Sequence, residues 1–248
     1  MGRSDFIVLL PAFNEEKTIQ KVIQQLSRVF SFRQMILADD GSTDNTSQIA
    51  QEFGIKIIRN KANRGKGHIL RKAFAIILKK FPKAKWVLTI DADGQHDVQD
   101  IPLFFQTINR NSEADIIIGR RDYNQMPLLN SISNKITSNW SNFWLDWNLH
   151  DLQCGFRCYR TEILRSILDY GLTRNRFDLE TEILIVSWIL DVNIIEIPIT
   201  TLYPNTQRKS RIQPVIDTFR WMLLIAKFAF SLQFVTYIWQ KRYFRRSS

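Results

Sequence analysis

Trp86-Val87-Leu88-Thr89-Ile90-Asp91-Ala92-Asp93-Gly94-Gln95-His96 is the stretch from which the fold is read: a short apolar run that ends abruptly in two carboxylates. An apolar run of this length, bounded by turn residues, has the pattern of a strand buried on both faces. The same shape recurs on either side of it. Residues 6–10 run into Pro11-Ala12-Phe13-Asn14-Glu15-Glu16, and residues 35–38 run into Asp39-Asp40-Gly41-Ser42; residues 55–58 and 116–118 are further apolar runs that read as buried strands. Between them lie stretches with helical spacing, such as Ile19, Val22, Ile23 and Leu26, or Ile69, Leu70, Ala73, Ile76 and Ile77. Strand alternating with helix predicts an α/β fold with a mostly parallel central sheet flanked by helices.

Open α/β sheets bind ligands at the carboxyl ends of their strands, so three acidic loops are expected to meet at one edge. Asp91 and Asp93 flank the small Ala92, an arrangement that suits a hard divalent cation, Mg²⁺ or Mn²⁺, bridging phosphates, and the Gln95 amide oxygen can join them. Asp40 is placed to meet a nucleotide base or ribose, a reading favoured over its turning the chain or capping a helix beginning near Thr43; for Asp39 nucleotide contact and capping weigh equally. Asn63-Arg64-Gly65-Lys66-Gly67 is a basic glycine loop opening a helix and suited to approaching phosphate. It is neither a dinucleotide fingerprint nor a P-loop, because Leu70 stands where a third glycine belongs and no Gly-Lys-Ser/Thr occurs.

The second half is less regular. A Trp-rich stretch at 138–149 precedes an expected strand at 156–159, a helix at 178–190 and a strand at 194–202. A polar, basic segment at 204–213 leads into an apolar run at 215–239, interrupted by Asp217, Arg220, Lys227 and Gln233 and closed by Lys241, Arg242, Arg245 and Arg246. This divides the chain into a catalytic domain, 1–213, and a membrane-associating helix with a basic tail, 214–248. Trp221 and Trp239 bracket the helix, and the interior Lys227 favours a helix lying in the headgroup region over one that spans. Trp140, Phe143, Trp144 and Trp147 repeat at helical spacing and form either a second lipid-facing surface or a core stripe.

Lys and Arg outnumber Asp and Glu by 34 to 24, a net charge of +10, which calls for an anionic partner. Nucleic acid is a poor candidate, because the motif loops are rich in Asp and no recognised nucleic-acid module is present. The only cysteines, Cys154 and Cys158, lack a second pair to complete a zinc site and read as reduced thiols. The first residues enter a strand without an apolar leader, so the catalytic body is expected at the cytoplasmic face of a membrane.

Five motifs in order, Pro11-Ala12-Phe13-Asn14-Glu15, Asp39-Asp40-Gly41-Ser42-Thr43-Asp44, Asn63-Arg64-Gly65-Lys66-Gly67, Asp91-Ala92-Asp93-Gly94-Gln95-His96 and Gln153-Cys154-Gly155-Phe156-Arg157, resemble glycosyltransferase family 2, and within it the polyprenyl-phosphate sugar transferases. The resemblance implies a GT-A type fold, a nucleotide-sugar donor, a polyprenyl phosphate acceptor and inversion at the anomeric carbon. It places Pro11, Ala12, Asn14, Glu15, Asp40, Lys66, Asp91 and Ala92 around the nucleotide sugar, and Asp91, Asp93 and Gln95 around Mg²⁺ or Mn²⁺. Asp93, Arg120, Lys135, Arg208 and Lys209 would carry catalysis, the four cations by holding donor and acceptor phosphates. The late loop Thr206-Gln207-Arg208-Lys209-Ser210-Arg211-Ile212 lacks the Gly before Ser-Lys common among mannose-donor enzymes, which leaves the sugar open. A hydroxyl acceptor would instead need a carboxylate base, with Asp151, Asp178 and Glu180 as candidates, although Glu180 can equally pair with a neighbouring cation. A catalytically silent membrane scaffold is the remaining alternative, and the intact Asp91, Asp93 and Gln95 argue against it.

Overall fold

The computed structural model describes residues 2–126, 128–145, 148–176, 178–202 and 214–229. Its first half alternates strand and helix: β1 (Phe6–Ala12), α1 (Ile19–Leu26), β2 (Met35–Asp39), α2 (Thr46–Glu52), β3 (Lys56–Arg59), α3 (Lys66–Lys80), β4 (Trp86–Thr89), α4 (Ile101–Arg110) and β5 (Ile116–Arg120). The second half continues with α5 (Leu128–Leu145), β6 (Arg157–Arg160), α6 (Thr161–Tyr170), α7 (Leu179–Ile189), β7 (Ile194–Pro198) and α8 (Pro214–Ala229). The strands form one sheet in the order β3-β2-β1-β4-β6-β5-β7.

The apolar runs become central strands because both their faces are covered. Helix α1 lays Ile19, Val22, Ile23 and Leu26 into the core, and α3 contributes Ile69, Leu70, Ala73, Phe74 and Ile77. The run at 55–58, expected to be buried, is instead a half-exposed edge strand, β3, which pairs only with β2. The strand expected over 194–202 ends at Pro198, and Thr201 then forms an isolated bridge with His96.

Register sets the site. Leu9 pairs in parallel with Ile36 on one side and with Thr89 on the other, so the segments after β1, β2 and β4 leave the sheet at one edge. Strand β6 runs the other way, with Cys158 opposite both Leu88 and Ile117. Its reversed direction starts it beside Thr89 and brings the preceding Cys154-Gly155-Phe156 against the loop after β4.

Helix α7 is buried on nearly all its sides, Glu180, Thr181, Glu182 and Ser187 included, so these polar groups find their partners inside the protein. Helix α8 is not detached from this body: Trp221, Leu224 and Ile225 belong to the same core, and the Trp221 indole N–H donates to Thr181 Oγ1. The expectation that Trp221 meets lipid headgroups is therefore corrected; its ring is spent inside the protein. Trp239 and the basic residues Lys241, Arg242, Arg245 and Arg246 lie outside the described residues. No helix among the described residues is long and apolar enough to cross a membrane.

Candidate active site

Each segment leaving the carboxyl edge is held by bonds to its neighbours. Asn14 adopts a left-handed backbone with φ 53°, which an Asn tolerates because its short side chain bonds locally. Its N–H donates to Ser42 Oγ at 2.9 Å, and its side-chain oxygen accepts from Thr43 N at 2.8 Å. Glu15 N donates to Thr46 Oγ1, and Thr18 Oγ1 reaches both Glu15 Oε2 and the carbonyl of Ala92. The loops after β1, β2 and β4 thus form one hydrogen-bonded rim.

Asp39 and Asp40 divide the work that the sequence left open between them. Asp39 turns its own loop, accepting from Ser42 N at 2.8 Å and from Ser47 Oγ, with Arg59 alongside at 3.1 Å. Asp40 is buried and accepts from Arg64 N, Gly65 N and Asn60 Nδ2 at 3.0, 2.7 and 2.8 Å. Its carboxylate thereby shapes the Asn63-Arg64-Gly65-Lys66-Gly67 loop.

The glycines of that loop make room for backbone. A Cβ on Gly65, whose φ is +99°, would lie 2.2 Å from the Asn175 carbonyl oxygen, and one on Gly67 would lie 2.7 Å from that of Arg176. Segment 172–176 therefore sits on the N-terminus of α3, where Asn175 O accepts from His68 N at 3.0 Å. The element that reaches the crevice is the Lys66 side chain. Its ammonium lies 2.6 Å from Asp91 and 2.8 Å from Glu180.

Burial by itself would raise the Asp91 carboxyl, but the Lys66 ammonium, with His96 at 3.8 Å, holds it well below the usual carboxylate range. Burial likewise opposes the charge on Lys66, and the two carboxylates outweigh it, holding the ammonium above its ordinary value. Asp91 keeps a quarter of its side chain exposed. It is also crowded: a Cβ on Gly155 would lie 2.2 Å from Asp91 Oδ2, so only glycine fits opposite this carboxylate.

Asp93 and Gln95 are partly exposed at the same mouth, with Gln95 N donating to Asp93 Oδ1 at 3.0 Å. Among the described residues no group of three or more His, Cys, Asp or Glu could hold a metal by itself. The donor set still fits Mg²⁺ or Mn²⁺: hard oxygens from Asp93 and Gln95, with Asp91 adjacent, leave positions for substrate phosphate, the usual habit of such cations.

The rim thus gathers Pro11, Ala12, Asn14, Glu15, Asp40, Lys66, Asp91, Ala92, Asp93 and Gln95. Arg120 is exposed at the carboxyl end of β5, two strands along the edge from β4, and Lys135 is exposed on α5. Arg208 and Lys209 lie outside the described residues. Of the three candidate bases, Asp151 is fully buried in a two-point bond with Arg121, at 2.6 and 2.9 Å. Asp178 accepts from Arg176 N, and Glu180 is bound to Lys66. Sequence reading assigned no role to Arg157, fully buried, which donates to the carbonyls of Leu152, Cys154 and Glu180. Its place in the Gln153-Cys154-Gly155-Phe156-Arg157 motif was the available signal.

This geometry has its counterpart in known proteins, since the family model described as Glycosyl transferase family 2 matches residues 7–168. The chain belongs to that family. It is 36% identical over 175 residues to an uncharacterized protein of Methanocaldococcus jannaschii, a match covering 65% of this chain and 74% of that one. It is 28% identical over 221 residues to the UDP-N-acetylglucosamine–dolichyl-phosphate N-acetylglucosaminyltransferase of Methanococcus voltae, covering 79% of this chain and 85% of the relative. Its fold matches the crystal structure of glucosyl-3-phosphoglycerate synthase from Mycobacterium tuberculosis, in complex with Mn²⁺, UDP and glucosyl-3-phosphoglycerate, with a TM-score of 0.66. That match has 18% identity and covers 89% of this chain and 77% of that one. The family 2 fold is of GT-A type.

Proposed function

We propose that this family 2 enzyme moves a hexose from a UDP- or GDP-sugar to a polyprenyl phosphate, dolichyl or undecaprenyl, at the cytoplasmic face of a membrane, with inversion and with Mg²⁺ or Mn²⁺. The observation that carries the reading is the state of the carboxylates. Asp151 is locked to Arg121, Asp178 accepts from Arg176 N and Glu180 is paired with Lys66, so each of the three carboxylates weighed as a base for a hydroxyl acceptor already has a partner. An acceptor phosphate needs no base, because its oxygen is anionic at neutral pH. The name of the Methanococcus voltae relative, a transferase to dolichyl phosphate, supports the same acceptor.

In this reading Pro11, Ala12, Asn14, Glu15 and Asp40 form the wall against which the nucleotide lies, and Asp91 faces its ribose. A divalent cation at Asp93 and Gln95, with Asp91 beside them, would supply positive charge to the departing diphosphate. Lys66, fixed between Asp91 and Glu180, offsets their negative charge at the crevice wall from which the diphosphate departs, without reorganisation. The acceptor oxygen forms its bond to the anomeric carbon from the face opposite the diphosphate, and the electron pair of the broken bond leaves with the nucleotide. Arg120, Lys135, Arg208 and Lys209 are the cations assigned to holding the two anions close.

The test is a comparison of acceptors. With a panel of UDP- and GDP-sugars and Mg²⁺ or Mn²⁺, glycosylated lipid is expected from polyprenyl phosphate and not from the corresponding polyprenol. Equal product from the alcohol would overturn the base-free mechanism.

A further inference from the structure

Helix α5 is built inside out. Its inward face is polar and small, with Ser131, Ser133, Asn134, Thr137, Ser138 and Ser141 all buried. These groups are satisfied locally: Thr137 Oγ1 donates to Ser133 O, Ser141 Oγ to Thr137 O, and Ser138 Oγ to His150 O. Its outward face carries Leu128, Leu129, Ile132, Ile136 and Phe143, with Leu128 74% and Phe143 71% exposed. Helix α8 packs against α5, with Ser133 Oγ and Thr218 Oγ1 in hydrogen-bond contact, and adds the exposed Phe219 and Leu223. In water a helix turns its apolar stripe to the core; small polar residues inward and large apolar ones outward suit a helix whose outer neighbour is lipid.

We propose that this face, α5 with the outward side of α8, rests in the headgroup region of a bilayer and sets the crevice at the membrane surface. The choice of occupant rests on the lipid-acceptor reading above, and charge supports it. Helix α5 contains no acidic residue, and its one charged side chain, Lys135, stands exposed within the apolar stripe. A second copy of the chain would bring another +10, whereas anionic headgroups offset that charge. Position supports it too. The N-terminus of α5 follows the carboxyl end of β5, and Trp221 of α8 bonds Thr181, the neighbour of Glu180 in the crevice wall. The lipid contact thus extends from the tail helix to a surface shared with the catalytic body, and of the aromatic stripe weighed from sequence Phe143 joins it while Trp140 packs against the core.

The test places an environment-sensitive thiol label on the full chain. Cys154 and Cys158 are buried, so the label goes to an introduced thiol, at Ile136→Cys or, as control, at Lys79→Cys on the last turn of α3. With vesicles of phosphatidylcholine and phosphatidylglycerol, the label at 136 is expected to shift to the blue and that at 79 to stay unchanged. A bound protein whose label at 136 stays water-like overturns the proposal; so does a blue shift that appears without vesicles and grows with protein concentration, which identifies a second copy as the occupant. The double variant Ile132→Gln/Ile136→Gln is expected to bind vesicles about tenfold more weakly or worse, with unchanged transfer to a short-chain, water-soluble prenyl phosphate. Vesicle binding equal to the unmodified chain's, or loss of the soluble-acceptor activity, overturns it. If the unmodified chain glycosylates no prenyl phosphate at all, the proposed function fails while the label still reports where the membrane lies.

Discussion

With its ammonium between Asp91 and Glu180, Lys66 bridges two carboxylates that would otherwise face each other unscreened across the crevice wall. Asp91 is held below its ordinary value of 3.8, so its share of stability is present above that pH and fades as pH falls below it. Lys66 is held above its ordinary 10.5, so its share is present below that pH and fades as pH rises past it. Between those limits the pair contributes evenly. Lys66→Met removes the cation from a largely buried pair and should cost about 3–5 kcal/mol in urea unfolding at neutral pH. It should also make stability fall as pH rises from acid toward neutrality, because one carboxylate then holds a proton in the folded chain that the unfolded chain releases. A pH-independent loss would show that Lys66 does not balance this pair. Gly155→Ala is the steric counterpart: its Cβ would displace the Asp91 carboxylate, so kcat/KM should drop about tenfold or more and Tm should fall as the Asp91–Lys66 pair is pulled apart. Asp91 and Asp93 were legible because two carboxylates closed an apolar run. The Glu180–Lys66 bond was legible only as an unnamed cation, since no local pattern says which distant helix a side chain will meet.

At the scale of elements, Arg157 joins β6 to the segment before it and to the first turn of α7. Its guanidinium donates to Leu152, Cys154 and Glu180 carbonyls with no exposed surface. An ammonium cannot span three acceptors held in that fork. Arg157→Lys should therefore lose about 2–3 kcal/mol of stability, read from the urea midpoint, because a buried carbonyl is left unpaired. A variant as stable as the unmodified chain would show that solvent or a neighbour satisfies those carbonyls. Strands β1, β2 and β4 could be read from their apolar runs, because burial on both faces leaves no polar positions. The half-exposed β3 was overcalled for the complementary reason: a run of three isoleucines does not reveal that its strand lies at an edge. The antiparallel direction of β6 was hidden, since direction depends on the partner and not on the strand's own residues. The spacing in α5 revealed that a helix had two faces; it could not say that the polar one points inward.

At the scale of the whole molecule, one sheet edge collects the donor crevice, and the apolar face of α5 and α8 adjoins it through Trp221 and Thr181. The order of acidic loops predicted that convergence, because parallel strands deliver their carboxyl ends to the same side. Helix α8, read from sequence as part of a membrane-associating tail, places Trp221, Leu224 and Ile225 in the common core. Everything proposed for the site turns on metal-assisted transfer from a nucleotide sugar to a lipid phosphate, with Asp93 as the carboxylate on which the cation depends. Its most direct measurement is mass spectrometry of the lipid extract after incubation of polyprenyl phosphate and the sugar-nucleotide panel with the unmodified chain and with Asp93→Asn, each with Mg²⁺ or Mn²⁺ and with chelator. A glycosyl-phosphate lipid is expected only from the unmodified chain with metal present, with Asp93→Asn at least about a hundredfold slower and unchanged in Tm. Product formed in chelator, or by Asp93→Asn at the rate of the unmodified chain, would contradict it.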